Sequence, residues 1–140
     1  KTISTEVANV GINNLYINSL GTKVVFSSAA NNLVGYLDTN DAPDVFLLDI
    51  PNPTIERISQ ITNDDEGSES SNALGFSEVD GVTKVLIETV APEFSIIDLN
   101  DLNDLYLVTP GSIENTIDLV TETSTNNAGS VVNGQAIIVS

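Results

Sequence analysis

Hydrophobic positions fall in short runs rich in Val, Ile, Leu, Phe and Tyr, separated by Gly, Asn, Asp and Pro. Short β-branched and aromatic runs with that punctuation predict strands. Strands are expected near 14–18, 22–28, 44–50 and 54–61, then near 72–77, 83–89, 104–109 and 115–122. Val45 to Ile50 and Leu105 to Val108 are apolar at consecutive positions, as in strands covered on both faces. Thr54 to Gln60 mixes Glu56 and Arg57 with Ile55 and Ile58, which suits an outer edge strand.

Helix competes for two stretches, because Ile55, Ile58 and Ile61, and likewise Leu99, Leu102 and Leu105, fall three apart. An internal repeat of roughly sixty residues argues against it. Thr22-Lys23-Val24-Val25-Phe26 returns as Thr83-Lys84-Val85-Leu86-Ile87. The stretch from Asp38 to Leu48 returns from Asp98 to Val108, and Thr54 to Ser59 returns as Thr116 to Thr121. The counterpart of Ile55 to Ile58 alternates as Ile117-Asp118-Leu119-Val120, and the counterpart of Leu102 to Leu105 contains Pro43, which breaks a helix interior.

Each unit is therefore expected to hold four strands, unit 1 over about 6–62 and unit 2 over about 72–122, joined by an acidic, Ser- and Gly-rich loop from Asn63 to Asn72. Thr2 to Thr5 looks like the close of a preceding unit, and Asn133 to Val139 resembles Leu20 to Phe26. Partial units are thus expected at 1–5 and 126–140. With Lys1 in place of an initiating Met, the expectation is a processed form or an excerpt of a longer chain.

The pattern Asp-x-Asn-x-x-x-Asp-Val-Phe-Leu-x-Asp at 38–49, followed by Ile-x-x-Ile-Ser at 55–59, resembles the blade of TolB-like, WD-repeat-related β-propellers. The likeness is close over 14–62 and looser over 72–122, where Thr109 stands in the place of Asp49. It implies an all-β fold of four-stranded antiparallel blades, about two with terminal fragments. It also implies an extracytoplasmic binding or scaffold role, secreted, periplasmic or at the cell surface, with no fixed chemistry. Propellers close with four blades or more, so such a chain is expected to be oligomeric or part of a longer protein. The alternative is a β-sandwich built from a duplicated unit.

Composition narrows the function. Hydrophobic residues make up 41% and charged residues 17%, enough apolar surface for a packed core. The net charge of −16, with Lys1, Lys23, Arg57 and Lys84 as the only cations, excludes a nucleic-acid footprint and attraction to anionic membranes. No apolar run is long enough to cross a bilayer as a helix. Without Cys or His there is no thiolate or imidazole chemistry, and no transition-metal site built from them. No motif calls for an enzyme.

Two acidic loops remain as candidate Ca²⁺ ligands: Asp38, Asn40, Asp41 and Asp44, and their counterparts Asp98, Asn100, Asp101 and Asp104. Neither has the Gly and distal Glu of an EF-hand. The competing reading makes Asp38 and Asn40 turn residues and has Asp44 and Asp104 bonding backbone amides at strand starts. Asn63 to Gly67 reads as a solvated acidic loop. Tyr16, Tyr36, Tyr106 and the four Phe read as core packing. The two functional expectations are a propeller-type binding module and, in its place, a structural subunit of a surface layer, adhesin or fibre assembled through strand edges.

Overall fold

The computed structural model describes residues 7–35, 38–62, 65–95, 102–112 and 114–121. Those residues form an all-β structure with a single 3-10 turn at Pro92–Phe94 and no α-helix. Strands β1 (Ile12–Ile17), β2 (Lys23–Ser28), β3 (Asp44–Asp49) and β4 (Thr54–Arg57) make one antiparallel sheet in sequence order. Two short strands follow, β5 (Gln60–Thr62) and β6 (Asp65–Glu66), paired only with each other. A second antiparallel sheet is built from β7 (Ser71–Val79), β8 (Val82–Thr89), β9 (Asp104–Thr109) and β10 (Thr116–Leu119), again in sequence order.

Turn chemistry sets the first hairpin of each sheet. Between β7 and β8, Asp80 and Gly81 both adopt positive φ, 52° and 78°, the two-residue turn whose twist suits antiparallel strands. Between β1 and β2 the turn is longer, with Gly21 at φ 66°, and the Asn18 side chain accepts the backbone N–H groups of Thr22 (2.8 Å) and Lys23 (3.1 Å). Each first strand also carries a bulge, between Asn13 and Tyr16 in β1 and between Ala73 and Gly75 in β7. A bulge bends an edge strand and breaks its row of open hydrogen-bonding groups.

The repeat is visible in hydrogen bonds as well as in strand order. Ser28 Oγ donates to Gly11 O (3.0 Å) and accepts from Ala30 N–H (3.1 Å), while Thr89 Oγ1 donates to Ser70 O (3.1 Å) and accepts from Ala91 N–H (3.0 Å). Phe26 pairs with Phe46 across β2 and β3, and Ile87 pairs with Tyr106 across β8 and β9. Asp44 and Asp104 each open the third strand of their sheet. The aligned blocks thus occupy the same register positions in both sheets.

Unlike faces meet where the sheets pack. Val25, Val45 and Leu47 of the first sheet share a buried cluster with Val85, Ile87, Tyr106 and Val108 of the second. By the repeat, Val25, Val45 and Leu47 correspond to Leu86, Leu105 and Leu107, which point to the opposite side of the second sheet. The counterparts of Val85, Ile87 and Tyr106 are Val24, Phe26 and Phe46, which form a separate cluster on the far side of the first sheet with Leu33 and Val34 against it. β2 and β3 of the first sheet are therefore buried at consecutive positions, whereas β9 of the second alternates buried and half-buried residues.

β7 is the edge strand that lies on the first sheet, and its outward N–H groups are taken there. Ser71 N–H donates to Pro43 O (2.7 Å) and Ala73 N–H to Ser27 Oγ (2.8 Å). Asn115 Nδ2 adds bonds to the carbonyls of Ile58 and Gln60 at 3.1 Å each.

Two expectations need correction. The strand expected over 54–61 is split: β4 ends at Arg57, and β5 turns away to pair with β6. Ser59 causes the break, because its hydroxyl, in place of a backbone carbonyl, accepts the Val45 N–H. The segment from Asn63 to Asn72 is also not a plain loop, since it contains β6 and the start of β7. The expected partial units at 1–5 and 126–140 lie outside the described residues, as does Tyr36.

Candidate functional site

The densest group of polar side chains gathers where β3 begins and β4 ends. Asp44 is buried, and its Oδ1 accepts from Ser59 Oγ at 2.6 Å. The same Ser59 Oγ accepts the Val45 N–H at 2.9 Å, so one hydroxyl joins the carboxylate to the backbone of its own strand. Arg57, fully buried, donates through Nη1 to Asp44 Oδ2 (3.3 Å) and to Glu66 Oε2. Glu66 Oε1 in turn accepts from Thr39 N–H, Thr39 Oγ1 and, at 3.1 Å, Asn40 N–H. A guanidinium thus ties the loop before β3 to β6 through two carboxylates.

The loop itself is held by turn bonds. Asp38 Oδ1 accepts Asp41 N–H (3.2 Å), Asn40 Oδ1 accepts Ala42 N–H (2.7 Å), and Asn40 Nδ2 donates to Gly67 O (2.6 Å). Asp41 takes positive φ, 54°, which a short Asp side chain tolerates. Gly67 lies so close to the 3-10 turn that an added Cβ would stand 2.7 Å from Phe94 Cε2. This close approach needs glycine, and it carries the Glu66 segment onto the core between the sheets.

The carboxylates respond differently to this environment. Burial pushes Asp44 up to about 6, against the opposing pull of the Ser59 hydrogen bond and the Arg57 charge. Burial also raises Asp38, partly offset by the Asp41 N–H. For Glu66 burial acts upward too, but the Thr39 hydroxyl and amide and the Arg57 charge together outweigh it and hold the group below the usual Glu range.

One oxygen from each of Asp38, Asp44 and Glu66 lies within 4.8 Å of the others, a spacing a hard cation could bridge. Arg57 already supplies positive charge to Asp44 and Glu66, and the turn amides engage Asp38 Oδ1 and Asn40 Oδ1. A divalent ion would have to displace that guanidinium. Of the candidate ligands in the first loop, Asp38, Asn40 and Asp44 come together here and Asp41 serves the turn. In the second loop, Asp98, Asn100 and Asp101 lie outside the described residues.

Asp104 repeats the hydroxyl lock. Thr121 Oγ1 donates to Asp104 Oδ1 and accepts the Leu105 N–H at 3.2 Å, while Val120 N–H donates to Leu105 O at 2.7 Å, as Ile58 N–H does to Val45 O at 2.7 Å. Leu119 stands where Arg57 does in the first sheet. Reading the sequence misses Arg57 and Glu66 as partners and treats Asn63 to Gly67 as solvated, whereas Glu66 is half-buried and ion-paired. The available signal was the lone Arg on an edge strand whose counterpart is Leu.

A second feature is a groove of about 460 Å³ between the first strands of the two sheets, lined by Leu15, Tyr16, Ile17, Leu74, Gly75 and Phe76. Lys23 also joins the sheets, donating to Glu78 (2.8 Å) and Thr83 (2.7 Å). Among known proteins, no family model, no curated protein and no solved structure matches the chain.

Proposed function

We propose that the chain is a non-catalytic binding and scaffold module of β-propeller type that works outside the cytoplasm, with its two four-stranded sheets as successive blades. The observation that carries this reading is the packing of unlike faces: Val25, Val45 and Leu47 of one unit lie against the face of the other that bears Ile87 and Tyr106. Two copies related by a twofold axis, as in a sandwich made from a duplicated unit, would bring like faces together. Stacking of unlike faces is a step that can be repeated, which is how propellers and other repeat proteins grow. The likeness of 38–49 and 55–59 to TolB-like blades supports the same reading and the location outside the cytoplasm.

The state of the polar groups supports the non-catalytic reading. Ser59, Asp44 and Arg57 are buried and bonded to one another, so the site's hydroxyl is not open to a substrate. Their role in this reading is to fix a loop, as buried polar networks do.

A second reading, a structural subunit assembled through strand edges, is favoured by β1. It is an edge strand whose Ile12, Leu15 and Ile17 are all about half exposed. Cross-linking in the source cells with identification of the joined proteins separates the two. Links to other extracytoplasmic proteins are expected for the module, and links between copies alone for the subunit. A cytoplasmic location, or turnover of a small substrate that Asp44→Asn abolishes, would overturn the proposal.

A further inference from the structure

At its start β7 spends its outward N–H groups on the first sheet, Ser71 on Pro43 O (2.7 Å) and Ala73 on Ser27 Oγ (2.8 Å). Past the bulge between Ala73 and Gly75 the next outward groups belong to Phe76 and Glu78. Val79 and Val82 flank the two-residue turn as a hydrogen-bonded pair, and pairing toward β8 alternates from there. Among the described residues, none bonds the main chain of Phe76 or Glu78 on that outward side. Ile17 of β1 likewise turns its main-chain groups away from β2, because its neighbour Asn18 is the residue bonded to Lys23.

The groove of about 460 Å³ opens at this place, and beyond Ile17 and Phe76 it widens into a stretch of about 980 Å³ that reaches Leu20 and Val79. Apart from the Tyr16 hydroxyl, the residues of the narrow stretch offer no polar group but their main chain. The rim is apolar and open: Leu15 and Ile17 are about half exposed, Val79 is 65% exposed and Leu20 79%. Apolar side chains gathered around a groove mark a binding site. Charge then selects among the ligands that fit. The chain carries −16, Lys23 at the margin is already paired with Glu78, Asp49 lies near that pair, and Asp80 follows in the turn. An acidic ligand is repelled from such a surface and a basic one is drawn to it.

We infer that the groove binds an extended basic peptide, apolar residues alternating with Lys or Arg, which adds as a strand to the open main chain of β7 at Phe76 and Glu78. The inference rests on the binding-module reading above and names the partner's chemistry. From Leu74 to Val79 the groove is about 20 Å long at the usual strand rise, room for about six residues. Alternation suits a strand, whose successive side chains point to opposite faces: one set meets the apolar rim and the other carries its cations outward into the field of the acidic chain.

Fluorescence anisotropy with a labelled six-residue peptide of alternating Val and Lys, titrated with the whole chain, tests the inference. Saturable binding is expected, weaker at high salt because the charges are screened. Glu in place of Lys in the peptide should abolish it. Methylating every second peptide nitrogen should weaken binding about tenfold or more in at least one of the two phases, since the methyl groups then remove the paired donors. Ile17→Lys should weaken binding about tenfold with an unchanged circular dichroism spectrum, whereas Val120→Lys, which adds the same charge outside the groove, should leave it unchanged. No saturable binding, binding indifferent to methylation in both phases, or equal losses for the two Lys variants would overturn the inference. A chain whose mass grows with concentration and returns to monomer with Ile17→Lys would assign the groove to a second copy and overturn it as well. The module reading survives any of these failures, being judged by cross-linking and cellular location.

Discussion

Arg57 and Leu119 occupy the same place in the two sheets, two residues before the hydroxyl that holds Asp44 in one and Asp104 in the other. In the second sheet the lock forms from Thr121 and Asp104 with an aliphatic neighbour at that place. In the first sheet a buried guanidinium is added, with Glu66 brought over from β6 to share it. The hydroxyl and aspartate are thus the common device of the repeat, and the Arg57–Glu66 pair belongs to the first unit. Its consequence is local: the 38–42 loop and the link between the sheets are held in the first unit by charge-assisted bonds to Glu66.

Replacing Arg57 should separate the two sheets most sharply. Arg57→Leu copies the second unit but leaves Asp44 and Glu66 without their cation, and the expected loss is about 3 to 5 kcal/mol in urea unfolding, the usual cost of removing one partner of a buried pair. The double variant Arg57→Leu with Glu66→Gln should recover part of that loss. A loss under about 1 kcal/mol for the single change would mean that the buried pair adds little beyond the hydroxyl lock.

The hydroxyls come next. Ser59→Ala removes the acceptor of a buried Val45 N–H and should cost about 1 to 3 kcal/mol. Thr121→Ala should cost less, because Thr121 is half-buried and water can replace it. Equal losses would contradict the difference in burial between the two locks.

Acidity offers a smaller effect of defined sign. With its folded value near 6 and an unfolded value near 3.8, Asp44 binds its proton more tightly in the folded state. Its contribution to stability is therefore fully present below the unfolded value and declines as pH rises through about 6. Glu66 is shifted downward and acts in the opposite sense, contributing above its unfolded value and losing that contribution as pH falls. Stability measured against pH should accordingly lose its decline toward pH 6 in Asp44→Asn, and lose part of its acid sensitivity in Glu66→Gln.

The smallest effect concerns Ca²⁺. With Arg57 in place, millimolar Ca²⁺ and its removal by chelator should leave the melting temperature unchanged. In Arg57→Leu the freed Asp38, Asp44 and Glu66 oxygens should give Ca²⁺ a measurable stabilisation by linkage. A rise in the parent protein would revive the loops as metal sites.

Much of this architecture can be read from the residues themselves. Short β-branched runs, the Asp80-Gly81 turn and three repeated blocks determine strand content, strand order within each unit and the equivalence of Asp44 with Asp104, because these depend on local conformation and spacing. The repeat also decides against helix at Ile55 to Ile61, whose residues lie in β4, β5 and the bend between them. What local pattern could not decide was everything that joins distant segments. Glu66 looks like one more solvated acid until the fold brings it to Arg57, and Gly67 looks like a loop glycine until Phe94 packs against it. The same holds for the choice of faces. Leu47 and Leu107 are the same residue in the sequence, and only the packing of one sheet on the other buries the first beneath a neighbour and leaves the second half-exposed on the outer face, since burial depends on which surfaces meet and not on residue type alone.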